Sequence, residues 1–71
     1  MNEWISVKEK LPEETGKLYL VTVAIIWPNW ITYRVDVVEY FHDRTWDVGK
    51  YETVTAWMDP PEAYEENKEI I

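Results

Sequence analysis

Seventy-one residues carry fourteen Asp and Glu against seven Lys and Arg, a net charge of −7, with no cysteine, two Gly and four Pro. That length holds one domain, and the missing cysteines exclude a disulfide staple and a thiolate zinc site. The acids outnumber the bases in every third of the chain, which argues against direct contact with a phosphate backbone, since that needs clustered Lys and Arg.

The chain opens on Met1 to Lys10, where charged and apolar residues are mixed and no apolar run suits a signal peptide. No segment approaches the ~20 apolar residues of a membrane span. The expected location is therefore the cytoplasm. Leu11-Pro12-Glu13-Glu14-Thr15-Gly16 reads as a turn, with Pro12 fixing one φ and Gly16 free to take a positive one. Leu18 to Ile26 is an almost unbroken apolar run, LYLVTVAII, rich in β-branched residues and short for a helix. Both of its alternating faces are apolar, so it predicts a central strand covered on both sides.

Trp27-Pro28-Asn29-Trp30 is the next break, because Pro28 cannot donate to a ladder and Asn29 tolerates the left-handed region. Ile31 to Phe41 then alternates, with Ile31, Tyr33, Val35 and Val37 set against Thr32, Arg34 and Asp36. This predicts a strand with one wet face, paired with the preceding one as a hairpin. The alternation slips at Val37-Val38, as a β-bulge would produce. His42-Asp43-Arg44 reads as a turn, Thr45 to Val48 as a short strand, Gly49-Lys50 as a break, and Tyr51 to Met58 as a last strand. Asp59-Pro60-Pro61 ends the sheet.

Residues 1–61 thus form a single strand-rich domain, followed by an acidic tail over 62–71. The tail is either a loose arm or a short helix begun at Asp59. The expected fold is all-β, a small and mainly antiparallel sheet of three to five strands with the N-terminal segment packed across one end. A small α+β fold is the alternative, if the tail or residues 6–10 turn helical. Five Trp, five Tyr and one Phe supply the bulk of so small a core. Oligomerisation is one remedy for a domain that buries only about 60% of its unfolded surface.

The two ends of the chain resemble a known pattern. Trp4-Ile5-Ser6-Val7-Lys8-Glu9-Lys10-Leu11-Pro12-Glu13-Glu14 resembles the opening WISVKxxLPEE, and Thr53-Val54-Thr55-Ala56-Trp57-Met58-Asp59-Pro60-Pro61-Glu62 resembles the closing motif, of the domain of unknown function 551 family of small phage and bacterial proteins. The match spans nearly all of residues 4–62 and departs at Asp59, where the family usually carries Pro. The resemblance implies no activity. It implies a phage or prophage context, in which short accessory proteins serve host takeover or counter-defence. Physically, Trp4 and Trp57 are large anchors near the two ends, expected to close one end of the core.

Candidate chemistry is sparse. His42 is the only histidine, with Asp43 beside it but no Ser, Cys or Lys nucleophile grouped with them, so a solvated turn residue is the simpler reading. The spacing of His42, Asp43 and Asp47 matches no ligand pattern, and no metal or cofactor is expected. Asp36, Glu39 and Asp47 read as solvated strand faces rather than an acid/base pair. No Gly-rich phosphate loop exists. The chain is therefore expected not to be an enzyme.

Trp27, Trp30, Tyr33 and Trp46 are the more informative set. Two Trp flanking a turn tip are costly when exposed unless they meet something, and Trp and Tyr are enriched at binding hot spots. Arg34 lies beside them and can grip a carboxylate or phosphate with two hydrogen bonds. Trp27, Trp30, Tyr33, Arg34 and Trp46 form the expected partner-binding set. The expected function is protein binding, with a host or phage protein as partner, in the form of an inhibitor of a host defence system such as an anti-CRISPR. The alternative is a module that binds or sequesters a nucleotide-like signal, possibly at an oligomer interface.

Overall fold

A computed structural model describes residues 3–62, and the tail expected over 62–71 lies outside them beyond Glu62. Among the described residues there is no helix, and four strands make one antiparallel sheet: β1 (Ile5–Ser6), β2 (Lys17–Ile26), β3 (Ile31–Tyr40) and β4 (Glu52–Met58). Their order across the sheet is β1-β4-β2-β3, so the apolar run of β2 does sit centrally. Residues 6–10 form a turn, in which the Glu9 and Lys10 amides donate to the Ser6 carbonyl.

Gly16 launches β2. Its φ of +69° is the left-handed conformation that glycine adopts without a Cβ penalty. Its amide donates to the Tyr40 carbonyl at 2.6 Å, which fixes the start of the hairpin. From there β2 and β3 pair without interruption from Lys17↔Tyr40 to Ile26↔Ile31. The bulge expected at Val37-Val38 is absent. The sequence slip has another cause: Val37 belongs to one face of the sheet and Val38 to the other, and both faces are apolar at that point. The bulge lies instead in β4, where Thr22 pairs with Ala56 and Val23 with Val54, leaving Thr55 as the extra residue.

Strand alternation divides the side chains into two faces. One carries Tyr19, Val21, Val23, Val38, Tyr40, Val54 and Trp57, which are all buried and form the core. Tyr19 is its hub, meeting Tyr40, Trp46 and Trp57 edge-on at 6.2, 6.0 and 5.4 Å. Such edge-to-face contacts align ring edges with ring faces of opposite partial charge. Burial pushes the pKa of the Tyr19 hydroxyl up, and that hydroxyl donates to the Glu14 carbonyl at 2.9 Å. Ile5, Val7, Trp46 and Val48 close over the cluster.

Four expectations need correction. Thr45–Val48 forms no strand: only a single bridge, Tyr40↔Trp46, joins it to β3, because Asp43 folds the segment into a turn by accepting from both the amide and hydroxyl of Thr45. The N-terminal segment does not merely cross one end. It joins the sheet as the edge strand β1, with Ile5 opposite Trp57. Trp57 closes the core and donates its indole N–H to the Lys10 carbonyl at 2.9 Å, but Trp4 is 42% exposed and precedes Ile5 on the opposite face. Finally, the second face of β2 is open at its ends, where Leu18 and Ile26 remain about half exposed, although Ala24 between them is buried.

Candidate functional site

The core runs from Tyr40 along the sheet as far as Val23 and Val54. Towards the other end the hairpin runs on, and its tip carries the first candidate site. The Trp27 amide donates to the Trp30 carbonyl at 2.9 Å, closing a tight turn around Pro28 and Asn29. Ile26↔Ile31 is the last pair on the open face, so Trp27 and Trp30 fall on the core side. Their rings stack with centroids 5.9 Å apart and planes 22° from parallel. The Trp27 indole N–H donates to the Thr32 hydroxyl at 2.9 Å, which holds that ring against the strand. Even so, Trp27 is 45% and Trp30 56% exposed.

Beside this pair runs a groove of about 650 Å³, lined by Ile25, Ile26, Trp27, Pro28 and Tyr51, with Lys50 and Glu52 at its polar edge. Strand order creates it. The Ile26 amide donates to the Tyr51 carbonyl at 2.8 Å, so the entry to β4 lies alongside the base of the tip. The Lys50 ammonium sits 5.5 Å from the Tyr51 ring centroid.

Below the tip an ion pair seals the upper end of the core. Arg34 donates to Glu52 through two nitrogens, at 2.7 and 3.1 Å, and its Nε donates to Asp36 at 3.1 Å. The Gly49 amide adds a fourth bond, to Glu52 Oε1 at 2.9 Å. The Arg34 guanidinium is the main cause that lowers the Glu52 carboxyl to about 2, and the Gly49 amide adds to it. Glu52, and then Asp36, hold Arg34 protonated well above its ordinary range.

The expected partner-binding set is therefore divided. Trp27 and Trp30 stand together, exposed, at the tip. Arg34 lies on the same face but is engaged by two carboxylates. Tyr33 points to the other face, 64% exposed, as its pairing with Ala24 requires. Trp46 is at the far end of the molecule, half-buried, with its ring 4.5 Å from that of Tyr40. Sequence reasoning missed Lys50 and Tyr51, because only the β4–β2 pairing brings them to the tip.

The second candidate site is the open face. There Leu18, Ile26, Ile31, Tyr33, Val35 and Val37 are each about half exposed or more. Elsewhere Lys17 gathers Glu14 and Asp59, at 3.1 and 3.5 Å, and the other titratable groups stand apart. His42 Nδ1 lies 2.8 Å from the Thr15 hydroxyl, and its ring packs over Gly16. Asp43 bonds Thr45 instead. Asp36 and Glu39 belong to opposite faces of β3. Among the described residues no three His, Asp or Glu side chains converge as metal ligands would, and no helix is long and apolar enough to cross a membrane.

No curated protein and no solved structure matches the chain. The family described as "Protein of unknown function (DUF551)" does match, over residues 3–65 and hence nearly the whole length, and the chain belongs to that family.

Proposed function

We propose that this domain is a protein-binding module that docks a partner through the hairpin tip. The observation that carries the reading is the Trp27–Trp30 stack, which stays half exposed beside an apolar groove. Rigid, partly exposed tryptophans on a braced turn lose little conformational freedom on binding, and such residues dominate interface energetics. The groove suits an apolar side chain of the partner. Lys50 at its edge complements a carboxylate next to that anchor. In its specific form the partner is a component of a host defence system and the module its inhibitor. The resemblance to small phage and bacterial proteins motivates that part.

The groove volume also suits a small molecule. A nucleotide-like ligand draws less support, because Arg34, its natural anion clamp, is taken up by Glu52 and Asp36. The test is affinity capture from a lysate of a bacterial host, with wild type, Trp30→Ala and Glu13→Ala side by side. One protein retained in stoichiometric amount by wild type and Glu13→Ala, and lost with Trp30→Ala, supports tip docking. Equal retention by all three, or none by the folded wild type, refutes it.

A further inference from the structure

The open face of the sheet presents a separate problem, which the tip does not solve. Strand pairing places Leu18 and Ile26 of β2 on it with Ile31, Tyr33, Val35 and Val37 of β3. Their exposures are 53, 45, 51, 64, 62 and 47%. Among the described residues, the only charged side chain that pairing assigns to this face is Glu39, at its end. Charged residues make up 30% of the chain, so their near absence here is a local property of one surface.

We infer that this face is the interface between two copies of the chain, packed sheet against sheet about a twofold axis. Area is the first argument. At these exposures the six residues leave roughly 550 Å² uncovered, the upper end of the ~300–600 Å² of the largest patch on a typical monomer, and Trp4, exposed on the same face, takes the total above that range towards the ~800 Å² per partner of a standard interface.

Charge is the second argument. A chain of net charge −7 repels its own copy over most approaches. Through this face, two copies meet with Glu39 as the single acid that strand pairing sets there among the described residues, at the margin. An uncharged apolar surface is complementary to itself, which a twofold contact requires. Architecture is the third. One sheet with one covered face is half of a two-layer domain, and a second sheet at ~10 Å completes it.

Edge-to-edge pairing through β3 is the competing arrangement. It is disfavoured because Asp36 accepts from the Val37 amide at 2.8 Å and the Asp47 amide donates to the Glu39 carbonyl at 3.0 Å, so part of that edge is already occupied.

The inference is independent of tip docking, and its test separates the two. Sedimentation equilibrium on the full chain at micromolar to hundred-micromolar concentration is expected to give twice the 8.6 kDa chain mass. Val35→Asp is expected to give the monomer mass, while Trp30→Ala, on the other face, leaves the dimer intact. Because Val35→Asp can unfold a chain that folds only as a dimer, a second probe is needed. The chain has no cysteine, so Thr22→Cys places one thiol at the middle of the face, on the central strand between Val35 and Ala56. Sheets packed at ~10 Å leave no room for a reagent between them, so maleimide labelling of the folded Thr22→Cys chain is expected to be slow at dimer concentrations and to speed up on dilution, while Glu13→Cys labels at one rate throughout. A monomeric wild type across the range overturns the inference. So does a dimer in which the Thr22→Cys labelling rate does not change with concentration, the result that edge pairing would give.

Discussion

Arg34 and Glu52 come from strands on opposite sides of β2, and two hydrogen bonds of 2.7 and 3.1 Å join them across it. They never meet in the β-ladder. Their side chains reach over the central strand, next to Val23 and Ile25, and so tie β3 to β4 directly. This gives the sheet a pH dependence. The Glu52 pKa in the folded chain, about 2, lies below its ordinary value of 4.5. The carboxylate therefore contributes stability in full above pH 4.5, and the contribution is lost as the pH falls towards 2. Glu52→Gln is expected to lower Tm at neutral pH and to flatten the decline of Tm between pH 4.5 and 2. Parallel wild-type and variant curves through that window would contradict the assignment.

Two tryptophans are expected to behave in opposite ways. Trp57 is 6% exposed, pairs across from Ile5, and donates to the Lys10 carbonyl. Trp57→Ala should cost ~3–5 kcal/mol, as truncation of a buried aromatic does. In a domain this small that loss removes most of the folded population. Trp30, 56% exposed, should tolerate Ala within ~0.5 kcal/mol. Urea unfolding of both variants measures the contrast. A Trp30→Ala loss of several kcal/mol would make the tip a structural element rather than a docking one.

Tyr40 is fully buried, and its hydroxyl finds no hydrogen-bond partner among the described protein atoms. A buried, unsatisfied hydroxyl is a cost that the ring's packing must offset. Tyr40→Phe keeps the ring contacts with Tyr19 and Trp46 and removes that cost. Its expected effect is neutral to about 1 kcal/mol stabilising, read from the urea midpoint. A loss of 1 kcal/mol or more would show that the hydroxyl is satisfied in solution.

Gly16→Ala should destabilise by about 1–2 kcal/mol, since φ is +69° and an added Cβ would lie 2.9 Å from the His42 ring. His42→Ala in the same chain relieves the contact but not the backbone strain. The double variant should therefore regain only part of the loss in a thermal melt. Complete recovery would place the whole effect in the ring contact.

Much of the fold can be read from the residues. The Pro12–Gly16 turn, the hairpin tip at Pro28-Asn29, the Gly49-Lys50 break and the Pro60-Pro61 stop bracket one apolar run and two strand-like segments, and these are β2, β3 and β4. What cannot be read is which neighbours those strands take. Ile31, Tyr33, Val35 and Val37 look like the core face of a half-buried strand, yet they lie on the open side, because the segments that carry Val7, Trp46 and Val48 pack over the opposite face, against Val38 and Tyr40. Arg34 looks free for a ligand until β4 pairs with β2 and brings Glu52 across. Trp46 looks like a surface ring until the turn at Asp43 folds it onto Tyr40. Each of these depends on strand order, a long-range choice that local alternation does not encode.

The central claim is that the hairpin tip touches another protein. Its most direct measurement is photo-cross-linking with benzoylphenylalanine placed at Asn29, between the two tryptophans, and in parallel at Glu13 on the distal turn. The account requires one discrete adduct with a host protein from position 29, none from position 13, and loss of the adduct when Trp30→Ala is added. Adducts from position 13 alone, or none from a folded chain carrying the probe at position 29, would contradict it.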